Sequence, residues 1–289
     1  MPHPICATCG TQFAASDDTP PSCPICRDAR QYLPPGGQRW TTLDALRRTH
    51  RNAWQRLAPD LYGVGTEPRF AIGQRALLVR TPGGNVLWDC IALLDDATID
   101  IVRALGGLRA IAISHPHYYT TMVEWAHAFG CPVYLHADDR AHVVRPDPAL
   151  RFWEGETCDF TEVGVAGMTL VRCGGHFEGG TVLHWDAGAG GRGALLTGDI
   201  LQVVPDRRWV SFMRSYPNLI PLDAASVQRI AAAVEPYAYE RLYGAWWDMH
   251  VEHDAKGAVA RSVERYLAAL AGAKATGVPP SSPSAPRAS

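Results

Sequence analysis

The spacing of apolar and polar positions changes period repeatedly along the chain, and each change predicts an element. Residues 41–57 carry Leu43, Leu46, Ala53, Trp54 and Leu57 behind a capping Thr41 or Thr42, which predicts a helix. Short β-rich runs follow at 70–72, 76–80 and 86–88, the last two joined by a Pro-Gly-Gly-Asn turn. Residues 96–105 read as a helix. Residues 109–114 read as a short buried strand that runs straight into His115-Pro116-His117. A helix over 120–129 closes at Gly130, and 131–136 reads as a strand. Strand-like runs recur at 160–163, 168–173, 181–185 and 194–197, then helical ones at 223–235 and 256–271. A β-meander in each half, with helices between, predicts two packed sheets flanked by helices.

Breaker residues divide the chain. Residues 1–30 form a cysteine-bearing module, and 31–59 a linker and helix opened by Leu33-Pro34-Pro35-Gly36-Gly37. Residues 60–271 form the main domain. Residues 272–289 are mostly Ala, Pro, Ser and Gly, too polar and broken to pack, and are expected to be disordered.

Composition narrows the partners. Apolar residues make up 47% and charged residues 19%, a globular balance for 289 residues. Lys plus Arg is 27 against 29 Asp plus Glu, a net charge of −2, and lysine occurs only at Lys256 and Lys274. That argues against a nucleic-acid binder, which would need clustered cations. No run of 18 apolar residues occurs, so no membrane span is expected, and the start lacks the pattern of a secretory signal. A cytoplasmic protein is the expectation.

Four of the eight cysteines, Cys6, Cys9, Cys23 and Cys26, read C-x2-C-x13-C-x2-C. Two-residue gaps let both thiolates of a tight turn face one ion, and two such turns complete a tetrahedron. A structural Zn2+ is expected, closed to water by four thiolates. Its binding would supply the folding energy that so short a segment lacks, roughly 10–16 kcal/mol apparent. The other four cysteines read as small buried apolar residues.

The histidines are unevenly placed. His115 and His117 (SHPHYY) end an apolar strand. His176 (GGHFEGG) follows another, Asp199 (LLTGDI) a third, and His250 (WWDMH) comes after Arg241-Leu242-Tyr243-Gly244. Strand ends gather polar side chains over a core, and the neighbouring glycines allow unusual backbone there. The long aromatic stretch after Asp199, 205–216, with Phe177, Trp246 and Trp247, suggests a pocket wall. Arg207, Arg208 and Arg214 are candidates to hold an anion or simply to face water.

These motifs, in this order over roughly 60–255, resemble the metallo-β-lactamase-fold hydrolases. Asp89 resembles the family's early aspartate, SHPHYYT its H-x-H-x-D-H loop, His176 its third histidine, Asp199 its bridging aspartate and His250 its last histidine. The resemblance implies an αββα sandwich with a metal site at one edge, here preceded by a small zinc ribbon. It also implies one ion on His115, His117 and His176. The second ion, bridged by Asp199 and ligated by His250, would also need an Asp and a His where this chain has Tyr119 and Thr120, so a single Zn2+ or Fe2+ is expected, with Asp199 as fourth ligand.

The implied function is hydrolysis of a small-molecule ester, thioester, lactone or phosphoester by a metal-activated water. Asp199 and His250 would handle its proton, and Tyr119 or Tyr118 would donate to the oxyanion. Two alternatives stand: a binding protein with a vestigial metal site and a ribbon that docks a protein partner, or an iron oxidoreductase.

Overall fold

The computed structural model describes residues 1–272; from residue 273 on, the expected tail lies outside the described residues. Two sheets face each other. The first has seven strands in the spatial order Arg51–Ala58, Leu61–Glu67, Arg75–Val79, Val86–Trp88, Ala110–Ala112, Val133–His136 and Leu150–Trp153. Its first four pair antiparallel and the rest parallel. The second has six: Thr157–Phe160, Val165–Arg172, Thr181–Trp185, Ala194–Gly198, Arg241–Gly244 and His250–Val251.

Period-two alternation makes the layers. Leu77, Val79, Trp88, Ala110 and Ala112 of the first sheet pack on Leu170, Leu183, Leu196 and Tyr243 of the second, forming the core between the sheets. The intervening residues Ala76, Leu78, Leu87 and Ile111 turn outward to pack with Val102 and with Val123 and Trp125 of two helices, Asp96–Ala104 and Met122–Phe129. Val171, Val182, Leu195 and Leu242 likewise meet Val227, Ile230 and Val259 of helices Ala224–Val234 and Ala255–Leu270. The result is helix, sheet, sheet, helix, with both faces of each sheet buried. Among the described residues no helix is long and apolar enough to cross a membrane.

Local signals set the boundaries. Asp95 and Asp223 cap their helices by accepting the N–H of Thr98 and Ser226. Gly130, at φ +63°, ends the helix Met122–Phe129 as the spacing predicts. The expected helix over 41–57 is corrected. Thr42 caps a helix that runs only over Leu43–Thr49, and Arg51–Ala58 is the edge strand of the seven-stranded sheet. Polar Thr49 and His50 fall where a helix would need apolar residues after Leu46. Beyond them Trp54 faces the helix side and Leu57 the inter-sheet side. The sheet therefore starts at Arg51, inside the stretch expected as a linker. Residues 70–72, expected as a strand, form no strand. Residues 161–163, expected as strand, form a 3-10 turn after Thr157–Phe160.

The N-terminal module is packed onto the main domain. Ile5 and Cys6 pair with Thr41 and Trp40, and Ile5 joins Leu46, Ala92 and Leu93 in a small core.

Candidate metal centre

The loops at the carboxyl ends of three strands meet at one edge of the sandwich. Ala110–Ala112 leads to Ser114, His115 and His117, Ala194–Gly198 to Asp199, and Val165–Arg172 to His176. One ligand atom from each of His115, His117, His176 and Asp199 lies within 4.8 Å of the others, and all four residues are buried. His115 Nε2 is 3.1 Å from Asp199 Oδ1, and His117 Nδ1 is 3.2 Å from His176 Nε2. Ligand atoms about 2.0–2.1 Å from a tetrahedral ion sit roughly 3.3 Å apart, so these separations suit a shared cation.

Hydrogen bonding orients the rings. The carbonyl of Met213 can only accept, so His176 Nδ1 donates to it at 3.0 Å and its Nε2 lone pair faces inward. His115 Nδ1 meets Ser114 Oγ at 2.9 Å. His115 Nε2 and Asp199 Oδ1 then face each other without hydrogen-bond geometry, two buried orphans that a cation would satisfy. Burial lowers the pKa of His115 and His117 well below the ordinary value and that of His176 to about 4. The rings are therefore neutral at pH 7, the form that binds metal. Burial pushes Asp199 up to about 7 and Asp89, which also feels Asp199, up to about 8. Ionised carboxylates here need a cation beside them.

Asp89 stays outside the ligand set. It takes φ +62°, and its Oδ1 accepts the Ser114 N–H at 2.8 Å, bracing the turn that carries His115. Gly198, at φ +53°, is required beside it, since a Cβ would come within 2.8 Å of Ser114 Oγ and 3.1 Å of Asp89 Oδ2.

Two sequence-derived assignments are corrected. His250 is not in the cluster. It lies on a strand antiparallel to Arg241–Gly244, and its Nε2 pairs with Glu252 Oε1 at 2.9 Å. Tyr119 points away, its hydroxyl donating to the carbonyl of Asp139 at 3.3 Å. Tyr118 faces the site instead, its ring 5.1 Å from that of His115 and its buried hydroxyl without a partner among the described residues. Thr120, where the resembled motif has histidine, is buried at φ +33° with its hydroxyl donating to the Tyr118 carbonyl.

One residue escaped the sequence reading. Arg75 is 1% exposed and donates through Nε and Nη2 to the carbonyl of Gly244. Its Nη1 has no partner among the described residues, and burial lowers its pKa to about 10. No carboxylate pairs with it among the described residues. Only the isolated charge in an apolar strand, RALLV, hinted at it. The loop arginines mostly face outward: Arg208 pairs with Asp206 in solvent, while Phe212 fills the core and Tyr216 donates to the Asp199 carbonyl at 2.7 Å.

The four N-terminal cysteines are buried with their Sγ atoms within 4.8 Å of one another. Cys6–Cys26 and Cys9–Cys23 are 3.5 and 3.6 Å apart. That excludes disulfides of about 2.05 Å. It approaches the roughly 3.8 Å edge of a tetrahedron with 2.3 Å metal–sulfur bonds. Gly10 takes φ +84° behind the first knuckle.

No family model matches the sequence. YmaE of Bacillus subtilis (strain 168), described as an uncharacterized protein, is 52% identical over 272 residues, covering 93% of this chain and 97% of YmaE. The chain belongs to the YmaE family. Among solved structures, the metallo-β-lactamase DIM-1 superposes with a TM-score of 0.56 at 12% identity, covering 76% of this chain and 98% of that one. FIM-1 from Pseudomonas aeruginosa in its mono-zinc form gives 0.52 at 13% identity, covering 74% and 95%. This member of the YmaE family therefore has the metallo-β-lactamase fold, with a four-cysteine cluster added at its N-terminus.

Proposed function

We propose that the chain is a metal-dependent hydrolase of a small-molecule ester, thioester, lactone or phosphoester, with one ion held by His115, His117 and His176, Asp199 standing beside its open position, and a structural Zn2+ held by the four cysteines. One observation carries the reading: His115, His117, His176 and Asp199, from three separate stretches of sequence, turn neutral nitrogens and a carboxylate oxygen toward one buried point, where nothing among the described residues satisfies His115 Nε2 or Asp199 Oδ1.

When bound there, a divalent ion lowers the pKa of water toward about 7 and polarises a carbonyl or phosphoryl oxygen. The chain supplies the rest. Met213 and Ser114 fix the imidazoles, Asp199 accepts the proton of the attacking water, and the Tyr118 hydroxyl donates to the oxyanion. Arg75 adds a fixed positive charge close by, within electrostatic reach of Tyr118. All eight cysteines are unbridged, which agrees with a reducing, cytoplasmic setting.

Metal content per chain, followed by a panel of esters, lactones and phosphodiesters, tests this. Two ions are expected, falling to one in His115→Ala together with loss of hydrolysis. Iron in the histidine site with no hydrolysis would favour the oxidoreductase, and one ion in the unaltered protein would leave only the ribbon.

A further inference from the structure

The ribbon and the histidine site share a joint. Arg30, four residues beyond Cys26, is buried, with a side chain only 7% exposed. Its Nε and Nη2 grip both carboxylate oxygens of Asp28 at 2.6 and 2.7 Å. Its Nη1 donates to the backbone carbonyl of His176 at 3.3 Å and to Glu178 Oε2 at 3.3 Å. The guanidinium carbon lies 3.8 Å above the ring of Phe177. That ring contacts all three histidines, with centroids 5.3 Å from His115, 5.0 Å from His117 and 5.1 Å from His176.

The same strip holds the loop behind His176. Ser215 Oγ donates to the Arg30 carbonyl at 3.0 Å, and Asn218 Nδ2 donates to the carbonyls of Ala29 and Gln31. Met213, two residues from Ser215, accepts His176 Nδ1. On the opposite side the first knuckle abuts the loop that carries His115 and His117. Gln12 N–H donates to the Thr120 carbonyl at 2.9 Å, and a Cβ on Gly10 would lie 3.4 Å from Thr120 Cγ2.

A module of this size has no adequate core of its own, so the path of Asp28 to Gln31 depends on the ion that ties its cysteines together. We infer that Arg30 is a positioning residue through which the ion on Cys6, Cys9, Cys23 and Cys26 tightens the grip of the histidine site on its own ion. Arg30's charge alone would act the other way, since a cation repels a cation. Asp28 and Glu178 offset that charge, so geometry is left as the net contribution. The inference rests on both clusters being metal sites, and coupling of this kind is reciprocal.

Cobalt(II) tests it, because thiolate ligation gives intense near-ultraviolet charge-transfer bands and a nitrogen–oxygen site only weak visible bands. Full-length protein loaded with cobalt is titrated with a chelator while both signals are followed. In Arg30→Met the histidine-site affinity is expected to fall about tenfold, within the 10–100-fold range for residues that orient ligands, with the thiolate bands of the fully loaded protein unchanged before chelator is added. Arg30→Lys keeps the charge but cannot span Asp28 and the His176 carbonyl, and it should fall similarly. Full recovery with lysine would overturn positioning by the guanidinium, since lysine cannot span Asp28 and the His176 carbonyl.

Reciprocity adds a check that leaves the ribbon's sequence intact: His115→Ala should weaken cobalt at the thiolates. Two ions bound with unaltered affinities in Arg30→Met would overturn the coupling alone. Unsubstituted protein that shows thiolate bands without a second ion would overturn the proposed function and the coupling together.

Discussion

His250 and Glu252 hold each other across the edge of the six-stranded sheet, Nε2 to Oε1 at 2.9 Å. Two residues apart in extended chain, they project to the same side. The register pairs His250 with Tyr243, so the chain has already turned back from the strand end where Gly244 lies beside Gly198. His250→Ala is therefore expected to leave both ions in place by metal analysis and to cost less than about 1 kcal/mol, as for a partly exposed polar contact. Loss of one ion would return His250 to the ligand set.

Tyr118 and Tyr119 are neighbours with opposite tasks. Tyr118 Oη is buried beside His115 without a partner among the described residues, and Tyr119 Oη is spent on the Asp139 carbonyl. Tyr118→Phe should lower kcat by about 100-fold, the size of a lost oxyanion donor, with metal content unchanged. Tyr119→Phe should leave kcat within about threefold and cost about 1 kcal/mol of stability. The reverse ranking, on whichever substrate the hydrolysis panel identifies, would exchange their roles.

The sequence showed those site features that lie at abrupt strand ends. RAIAIS running into SHPH, and LLTGD, place His115, His117 and Asp199 because an apolar run too short for a helix reads as a buried strand and the polar residues after it gather at its end. The same argument misled at His250. Arg241–Gly244 is followed by a tight turn and an antiparallel strand, so distance along the chain did not become proximity to the metal centre. Arg75 was invisible because its role depends on the Gly244 carbonyl, 169 residues away. A helical stripe ends with Leu43 and Leu46, whereas Trp54 and Leu57 obey an alternation that only pairing with Leu61–Glu67 reveals.

Gly198 lets two strand ends close on each other. Gly198→Ala puts a methyl group 2.8 Å from Ser114 Oγ and 3.1 Å from Asp89 Oδ2, at a φ of +53° that already costs alanine about 1–2 kcal/mol. The substitution should lower the melting temperature and weaken the histidine-site ion at least tenfold, because Asp199 and the brace on Ser114 both move. The four-cysteine ion should be retained. A chelator titration that finds both ions held as before would show that the turn has slack the contacts do not suggest.

Asp139 gives the protein a pH dependence of unusual sign. Burial pushes its carboxyl from 3.8 up to about 7. The Gly179 N–H, donating at 3.0 Å, and the charge of Arg30 pull the other way, while Glu178 and Asp138 add to the rise. Since the folded value lies above the unfolded one, the native state binds more protons between them. Stability that is fully present below about pH 4 is then lost as pH rises toward 7, by roughly 4 kcal/mol at most. Asp139→Asn keeps an acceptor for Gly179 and removes the charge. Denaturant unfolding should therefore find the variant progressively more stable than the unaltered protein from pH 4 to pH 8, with the difference levelling above about pH 7. A difference that stays flat across that range would mean that Asp139 is ionised in the fold without penalty, held by Arg30 more tightly than its burial opposes.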